Sequence, residues 1–170
     1  MSEKTKMEIN TYLTFNLGEE TFASNVSKVL NILEMMKITE VPQSPDYMRG
    51  VVNLRGEVLP LIDTRIKFGM TPISISSATC ILVLNVNVNS KSVKIGTLVD
   101  SVHEVLEVKE EDILAPPDMG TKYKSEFIEG LIKSGDGFIM LLDMDKIFST
   151  DEITILQEKT EEPILEETSN

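Results

Sequence analysis

The side chains most often used for catalysis are few in this chain, and they are scattered. The single histidine, His103, stands between Val102 and Glu104 on the polar side of an apolar stripe, which suits a solvated imidazole better than a base or metal ligand. The single cysteine, Cys80, opens an apolar run and reads as a small core or edge residue rather than a nucleophile. One cysteine excludes an intramolecular disulfide, and without a Cys/His cluster a zinc site has no ligand set. Glu110-Glu111-Asp112 and a C-terminal acidic run are the dense carboxylates. Acid–base work needs apolar enclosure to shift a carboxyl, and nothing in their neighbourhood supplies it. No phosphate-cradling G-x-x-x-x-G-K-S/T, dinucleotide G-x-G-x-x-G after a strand or nucleophile-elbow G-x-S-x-G occurs. No catalytic residue, metal or cofactor is therefore expected.

What remains points to binding. In Gly50-Val51-Val52-Asn53-Leu54-Arg55-Gly56 an arginine sits at a hairpin tip between glycines. Its planar fork suits a carboxylate or helix carbonyl on a partner, although a solvated turn arginine has the same look. Met35 and Met36 are adjacent and cannot both face one core, so one of them is expected at the surface.

These residues must be held by short strands. Leu13, Phe15 and Leu17 alternate with Tyr12, Thr14 and Asn16, the period of a half-buried strand. A turn at Gly18-Glu19-Glu20 leads to a return strand, Thr21-Phe22-Ala23. Val26, Val29, Leu30 and Leu33 follow at helical spacing, with Ser24 or Asn25 as a cap. Tyr47 to Leu54 and Val58 to Ile62 form a hairpin, and Pro60 places the return strand at an edge or bulge. Asp63 can cap a helical turn through Phe68. After a linker-like stretch, residues 69–78, Ile81 to Val86 and Ser92 to Val99 form another hairpin. Val102, Val105 and Leu106 again show helical spacing. Pro116-Pro117 and a polar loop to Ser125 precede a last hairpin, Phe127 to Ile132 and Phe138 to Leu142.

The two halves match. A shift of 80 residues aligns Tyr47 with Phe127, Gly50 with Gly130, Asp63 with Asp143 and Phe68 with Phe148. A shift of 76 aligns Phe22, Val26, Val29 and Leu30 with Leu98, Val102, Val105 and Leu106. The chain thus reads as two copies of one β-rich unit, each closing into a small barrel and sharing a packed interface with a groove.

The composition limits the partners. Twenty-eight Asp and Glu against 16 Lys and Arg leave a net charge of −12, contrary to the basic face that nucleic acid or an anionic membrane requires. Half of that surplus lies in the last 20 residues. With no secretory signal at the start and no apolar run of membrane length, a cytoplasmic location is expected, and there the sequon Asn25-Val26-Ser27 has no meaning. Residues 1–11 are expected to be a flexible N-terminus, and residues 151–170 an acidic, solvated tail, helical at most near 151–158.

The run from Tyr47 to Arg65, Gly96-Thr97-Leu98-Val99-Asp100-Ser101-Val102, and Glu129-Gly130 followed by Ile139-Met140-Leu141-Leu142-Asp143 resemble the CheW family of chemotaxis coupling proteins. The resemblance covers about residues 12–150. It implies two intertwined, five-stranded SH3-like β-barrels with short helices, subdomain 1 over about 12–70 and subdomain 2 over about 78–150. It also implies a non-catalytic adaptor linking the cytoplasmic tip of methyl-accepting chemoreceptors to the regulatory domain of the histidine kinase CheA, within membrane-bound receptor arrays. Receptor contact then falls to Arg55, Gly50, Val29, Asn31 and Ile32, and the motif positions are Asn53, Gly56, Pro60, Asp63, Asp100, Gly130 and Asp143. Asn31 stands where the family often has an acidic residue, so an ion pair there is not expected. The resemblance leaves kinase-contact residues undefined. A scaffold of the same fold in another CheA-type pathway, such as surface motility, and a small-molecule binder using the groove are the alternatives.

Overall fold

The computed structural model describes residues 9–116 and 125–168, so the loop expected through 117–124 and residues 1–8 of the expected flexible N-terminus lie outside the described residues. Among the described residues the chain forms ten strands: β1 (Ile9–Leu17), β2 (Glu20–Asn25), β3 (Val29–Glu34), β4 (Met48–Leu54), β5 (Glu57–Asp63), β6 (Cys80–Val88), β7 (Lys91–Val99), β8 (Ser101–Lys109), β9 (Ile128–Ser134) and β10 (Gly137–Leu142). Two helices complete it, α1 (Thr64–Lys67) and α2 (Thr150–Thr168).

The strands make two five-stranded sheets, β8-β1-β2-β10-β9 and β3-β6-β7-β5-β4. Replacing each strand of one order by its repeat partner gives the other order, so the repeat seen in the sequence is a repeat in space. Each sheet takes two strands from one half of the chain and three from the other. Each also closes on itself. The chain beyond β8 bridges β9 through Leu114 and Leu131, and the chain beyond β3 bridges β4 through Thr39 and Val51. Closure removes the open edges that would otherwise invite aggregation. The fold is mainly β, a pair of SH3-like barrels, as expected.

One continuous core joins the barrels. Phe15, Leu17 and Phe22 of the first sheet pack with Leu59, Leu61, Ile81, Leu84 and Leu98 of the second. Each such fully buried side chain contributes roughly 1.5–3 kcal/mol. Phe68, just past α1, stacks on Phe127 at 5.0 Å and lies 5.5 Å from Phe22, spanning the junction. Asp63 and Asp143, 80 residues apart, each accept backbone N–H bonds at the turn that follows a hairpin.

Five expectations change, the fifth at Pro60. The helical spacing of Val26 to Leu33 belongs to a three-residue turn, Val26–Lys28, capped by Asn25, and then to β3. Val29 and Leu33 face inward and Leu30 and Ile32 outward, so period two wins over period 3.6. Val102, Val105 and Leu106 likewise lie on β8, with Val102 and Leu106 turned toward the core and Val105 out. Tertiary pairing overrides local spacing here because β8 finds a nine-residue antiparallel partner in β1. Met35 and Met36 both pack against the core, because the chain beyond β3 is irregular rather than helical. Finally, residues 150–168 are helical, with Ile153 and Leu156 buried. A capping box forms the start: Ser149 N–H donates to Glu152 Oε1 at 2.9 Å and Glu152 N–H to Ser149 Oγ at 3.2 Å.

Pro60 is not at an edge, since β5 lies between β7 and β4. Val51, opposite Pro60, exchanges both backbone bonds with Thr39 instead (2.9 and 2.8 Å), and pairing to β7 begins at Leu61. The missing N–H therefore leaves no ladder bond broken.

Candidate partner-binding site

Arg55 stands at the tip of the β4–β5 hairpin, exposed, with φ of 53° followed by Gly56 at 86°. Two successive positive φ angles define the turn type whose twist matches a hairpin. Asn53 stabilises it by accepting the Gly56 N–H at 2.8 Å. The Arg55 guanidinium has no ion pair among the described residues, whereas nearby Glu57 is taken by Lys94 at 3.2 Å. The tip thus presents an uncompensated cation in a strongly acidic chain.

Val29, Asn31 and Ile32 lie on β3, at the opposite end of the sheet order from β4, and closure of the barrel brings the two margins together. The contact runs through Gly50. Its φ is +144°, and a Cβ there would lie 2.2 Å from the Thr39 carbonyl oxygen. Only glycine lets the chain beyond β3 approach β4 closely enough for the Thr39–Val51 bridge. Gly50 therefore shapes the face without offering it a side chain.

Leu30 and Ile32 point away from the core and are 45% and 49% exposed, and Val26 adjoins them at 37%. Asn31 is exposed and Val29 half-buried. A bulge between Val29 and Asn31 shifts the pairing with β6, which turns the strand at this point. Leu30 is the residue that the helical reading of this segment hides. The alternation of Val29, Ile32 and Leu33 around it, read with period two, is the signal that exposes it.

The other motif residues support the frame. Asp63 is fully buried; its carboxylate accepts from the N–H groups of Arg65 (3.0 Å) and Ile73 (3.0 Å) and from Arg49 Nη1 at 3.0 Å. Eighty residues on, Asp143 caps its turn through Asp145 N–H at 3.1 Å, but Glu129 stands where Arg49 does. Glu129 turns instead to Tyr12, whose hydroxyl donates to it at 2.8 Å. Burial, then the bond and charge of Glu129, push the Tyr12 phenol well above its usual range. Gly130 repeats the crossing of Gly50, a Cβ there falling 2.4 Å from Ile113 Cγ2. Asp100 lies between β7 and β8 and binds Arg65.

His103 is exposed on β8 and Glu110, Glu111 and Asp112 form an exposed turn. Among the described residues no cluster of His, Cys, Asp and Glu could hold a metal. The cavity between the sheets, lined by Phe15, Ile62, Leu84 and Phe148 among others, is about 10 Å³, about the least that holds one water. A cleft of about 480 Å³ opens at the junction beside Lys67, Phe127 and Glu152.

Comparison with known proteins bears on this arrangement. A family model described as CheW-like domain matches residues 11–152. Chemotaxis protein CheW of Klebsiella aerogenes is 32% identical over 145 residues, 85% of each chain. Chemotaxis protein CheW of Treponema pallidum is 30% identical over 141 residues, 83% of each. Among solved structures, the scaffolding protein TtCheW from Thermoanaerobacter tengcongensis superimposes with a TM-score of 0.73 at 28% identity, covering 85% of this chain and 91% of that one.

Proposed function

The chain belongs to the CheW family and is a chemotaxis adaptor, and we propose that it joins the cytoplasmic tip of chemoreceptors to a CheA-type histidine kinase, without catalysis of its own. The observation that carries the receptor half is the outward apolar face of β3, carried by the same barrel as the exposed hairpin tip where Arg55 has no ion pair among the described residues. A receptor tip is a helical hairpin, and a helix presents anchors at i, i+3 and i+4 to such a face. Leu30 and Ile32 supply area, and Arg55 supplies register through a carboxylate or a helix C-terminal carbonyl. Asn31 contributes a neutral polar contact rather than an ion pair.

Among the described residues no helix is long and apolar enough to cross a membrane. Attachment to receptor arrays then rests on these protein contacts. A scaffold contributes to signalling only through contacts that differ between the kinase-on and kinase-off states of the array. The test is co-purification from the native cell, in which a CheA-type kinase and a chemoreceptor come down with the tagged chain. Recovery of neither would overturn the proposal. A receptor-tip fragment binding equally well to wild type and Arg55→Ala would overturn the site.

A further inference from the structure

We infer that Arg65 is a positioning residue which fixes the angle between the two barrels, and that this angle governs simultaneous engagement of receptor and kinase. The second clause rests on the functional reading above; the first stands on geometry alone.

Among the described residues the strand-to-strand connections pass between the barrels twice, and each passage is short. Val26–Lys28 carries it from β2 to β3, and Asp100 alone separates β7 from β8. Asp100 binds both barrels with one carboxylate. Its Oδ2 accepts Arg65 Nη2 at 2.6 Å, both oxygens accept Arg65 Nε at 3.2 and 3.0 Å, and Oδ2 also takes the Gly18 N–H at 2.5 Å. Arg65 belongs to α1 behind the second sheet, and Gly18 to the β1–β2 turn of the first. The Asp100 N–H donates to the Asn16 carbonyl at 3.0 Å, so the passage is held at backbone and side chain. A forked guanidinium on one carboxylate resists rotation in a way that a single contact does not.

The other passage is built alike with the charges exchanged. Lys28 lies in it and pairs with Asp145 at 2.8 Å, and Asp145 takes the Asn87 N–H of β6 at 2.8 Å. Arg65 and Asp145 are repeat equivalents, each two residues past a capping aspartate. Each passage therefore holds one member of an ion pair whose other member comes from the same place in the repeat, and the aspartate of each pair also accepts an N–H at a strand end of the opposite barrel. The continuous core holds the barrels together, and the two ties on opposite passages add directional bonds that resist their rotation against each other. Arg65 is the stronger, being bidentate and bound to a carboxylate that is less exposed than that of Asp145.

The experiment places nitroxide labels at Lys91 and Lys133, exposed strand positions in different barrels, on a Cys80→Ser background, and measures the distance distribution by pulsed electron resonance. Arg65→Ala should broaden the distribution about twofold or more, and Arg65→Lys should restore it in part. If Arg65→Ala fails to fold, Asp100→Asn, which keeps the Gly18 bond, is read instead. An unchanged distribution in a folded variant overturns the clamp. In parallel, unlabelled Arg65→Ala should bind a receptor-tip fragment and the kinase regulatory domain separately within about twofold of wild type, while the three-component complex falls about tenfold. An undiminished three-component complex overturns the coupling role. If wild type binds neither partner, the functional reading fails while the distance measurement still decides the clamp.

Discussion

Gly50 and Thr39 approach so closely that a single added methyl group would occupy the space of the Thr39 carbonyl oxygen, 2.2 Å away. Val51 beside it donates its N–H to the Thr39 carbonyl and accepts the Thr39 N–H in return, and these two bonds close the second barrel. Gly50→Ala should therefore lower the unfolding free energy by about 3 kcal/mol, combining a strained φ with a backbone clash. Gly130→Ala should cost less. The residue sits at the equivalent crossing without a positive φ, and its nearest obstacle is a side-chain atom, Ile113 Cγ2, which a χ1 change can move, while the nearest backbone atom, the Leu114 carbonyl oxygen, is 3.1 Å away rather than 2.2 Å. Denaturant midpoints of the two variants would show the order; equal losses would mean that the closures are not governed by the backbone clash.

Leu30 and Ile32 expose their side chains, so removing them should leave the fold unchanged. Leu30→Asp and Ile32→Asp are expected to shift the melting free energy by less than about 0.5 kcal/mol. Each should weaken binding of a receptor-tip fragment by about tenfold or more, the cost of losing one buried aliphatic anchor at an interface. Titration calorimetry with a receptor-tip fragment measures this directly, and Val105→Asp, exposed on the other barrel, serves as the control.

The hairpins and their caps were readable from the sequence because their signals are local. Arg55-Gly56 and Ser134-Gly135-Asp136-Gly137 mark turns, and Asp63 stands one residue before a helical turn. The repeat was readable because two aspartates and two glycines keep one offset. What misled was spacing at Val26–Leu33 and Val102–Leu106. Four apolar residues at i, i+3, i+4 and i+7 also arise when a strand has one inward row and a few exposed aliphatics. An exposed aliphatic on the outer row is what a docking strand carries, so the misreading fell on the candidate site itself. The exchange of strands between halves has no local signal, since it depends on which edges pair after both hairpins have formed. The start of α2 did carry one, the Ser149-x-x-Glu152 box.

Asp63 and Asp143 are equivalent in sequence but should differ in energetic weight. Asp63 is buried, paired with Arg49 and bonded to the Ile73 N–H, so Asp63→Ala strands a cation and several donors at a cost of about 3 kcal/mol or more. Asp143 is a partly exposed cap whose cation is the exposed Lys146, 3.8 Å away, rather than an arginine, because Glu129 occupies that position, and Asp143→Ala should cost about 1 kcal/mol. Arg49→Ala should approach the loss of Asp63→Ala, and in a double-mutant cycle the two effects should fall well short of adding. Strict additivity in urea unfolding would contradict the pairing.

Glu152 gives the chain a defined response to acid. Burial alone would raise its carboxyl, but hydrogen bonds from Lys67 and Ser149, with the Lys67 charge, outweigh that and hold it below the ordinary 4.5. Lys67 itself lies over the rings of Tyr47 and Phe148, 5.1 Å from each, so the pair joins α1, α2 and the aromatic seam. A carboxyl whose folded value is depressed adds stability above its unfolded value and loses it as pH falls through the folded value. The Glu152 contribution is thus complete at neutral pH and disappears below the ordinary carboxylate range. Glu152→Gln should melt earlier than wild type at pH 7, and the gap should close progressively on acidification to about pH 3. Lys67→Met should show the same closing gap, because it removes the partner that sets the shift. Differential scanning calorimetry across that range reads the difference, and a gap independent of pH would overturn the assignment of this stability to the ionised Glu152 carboxylate.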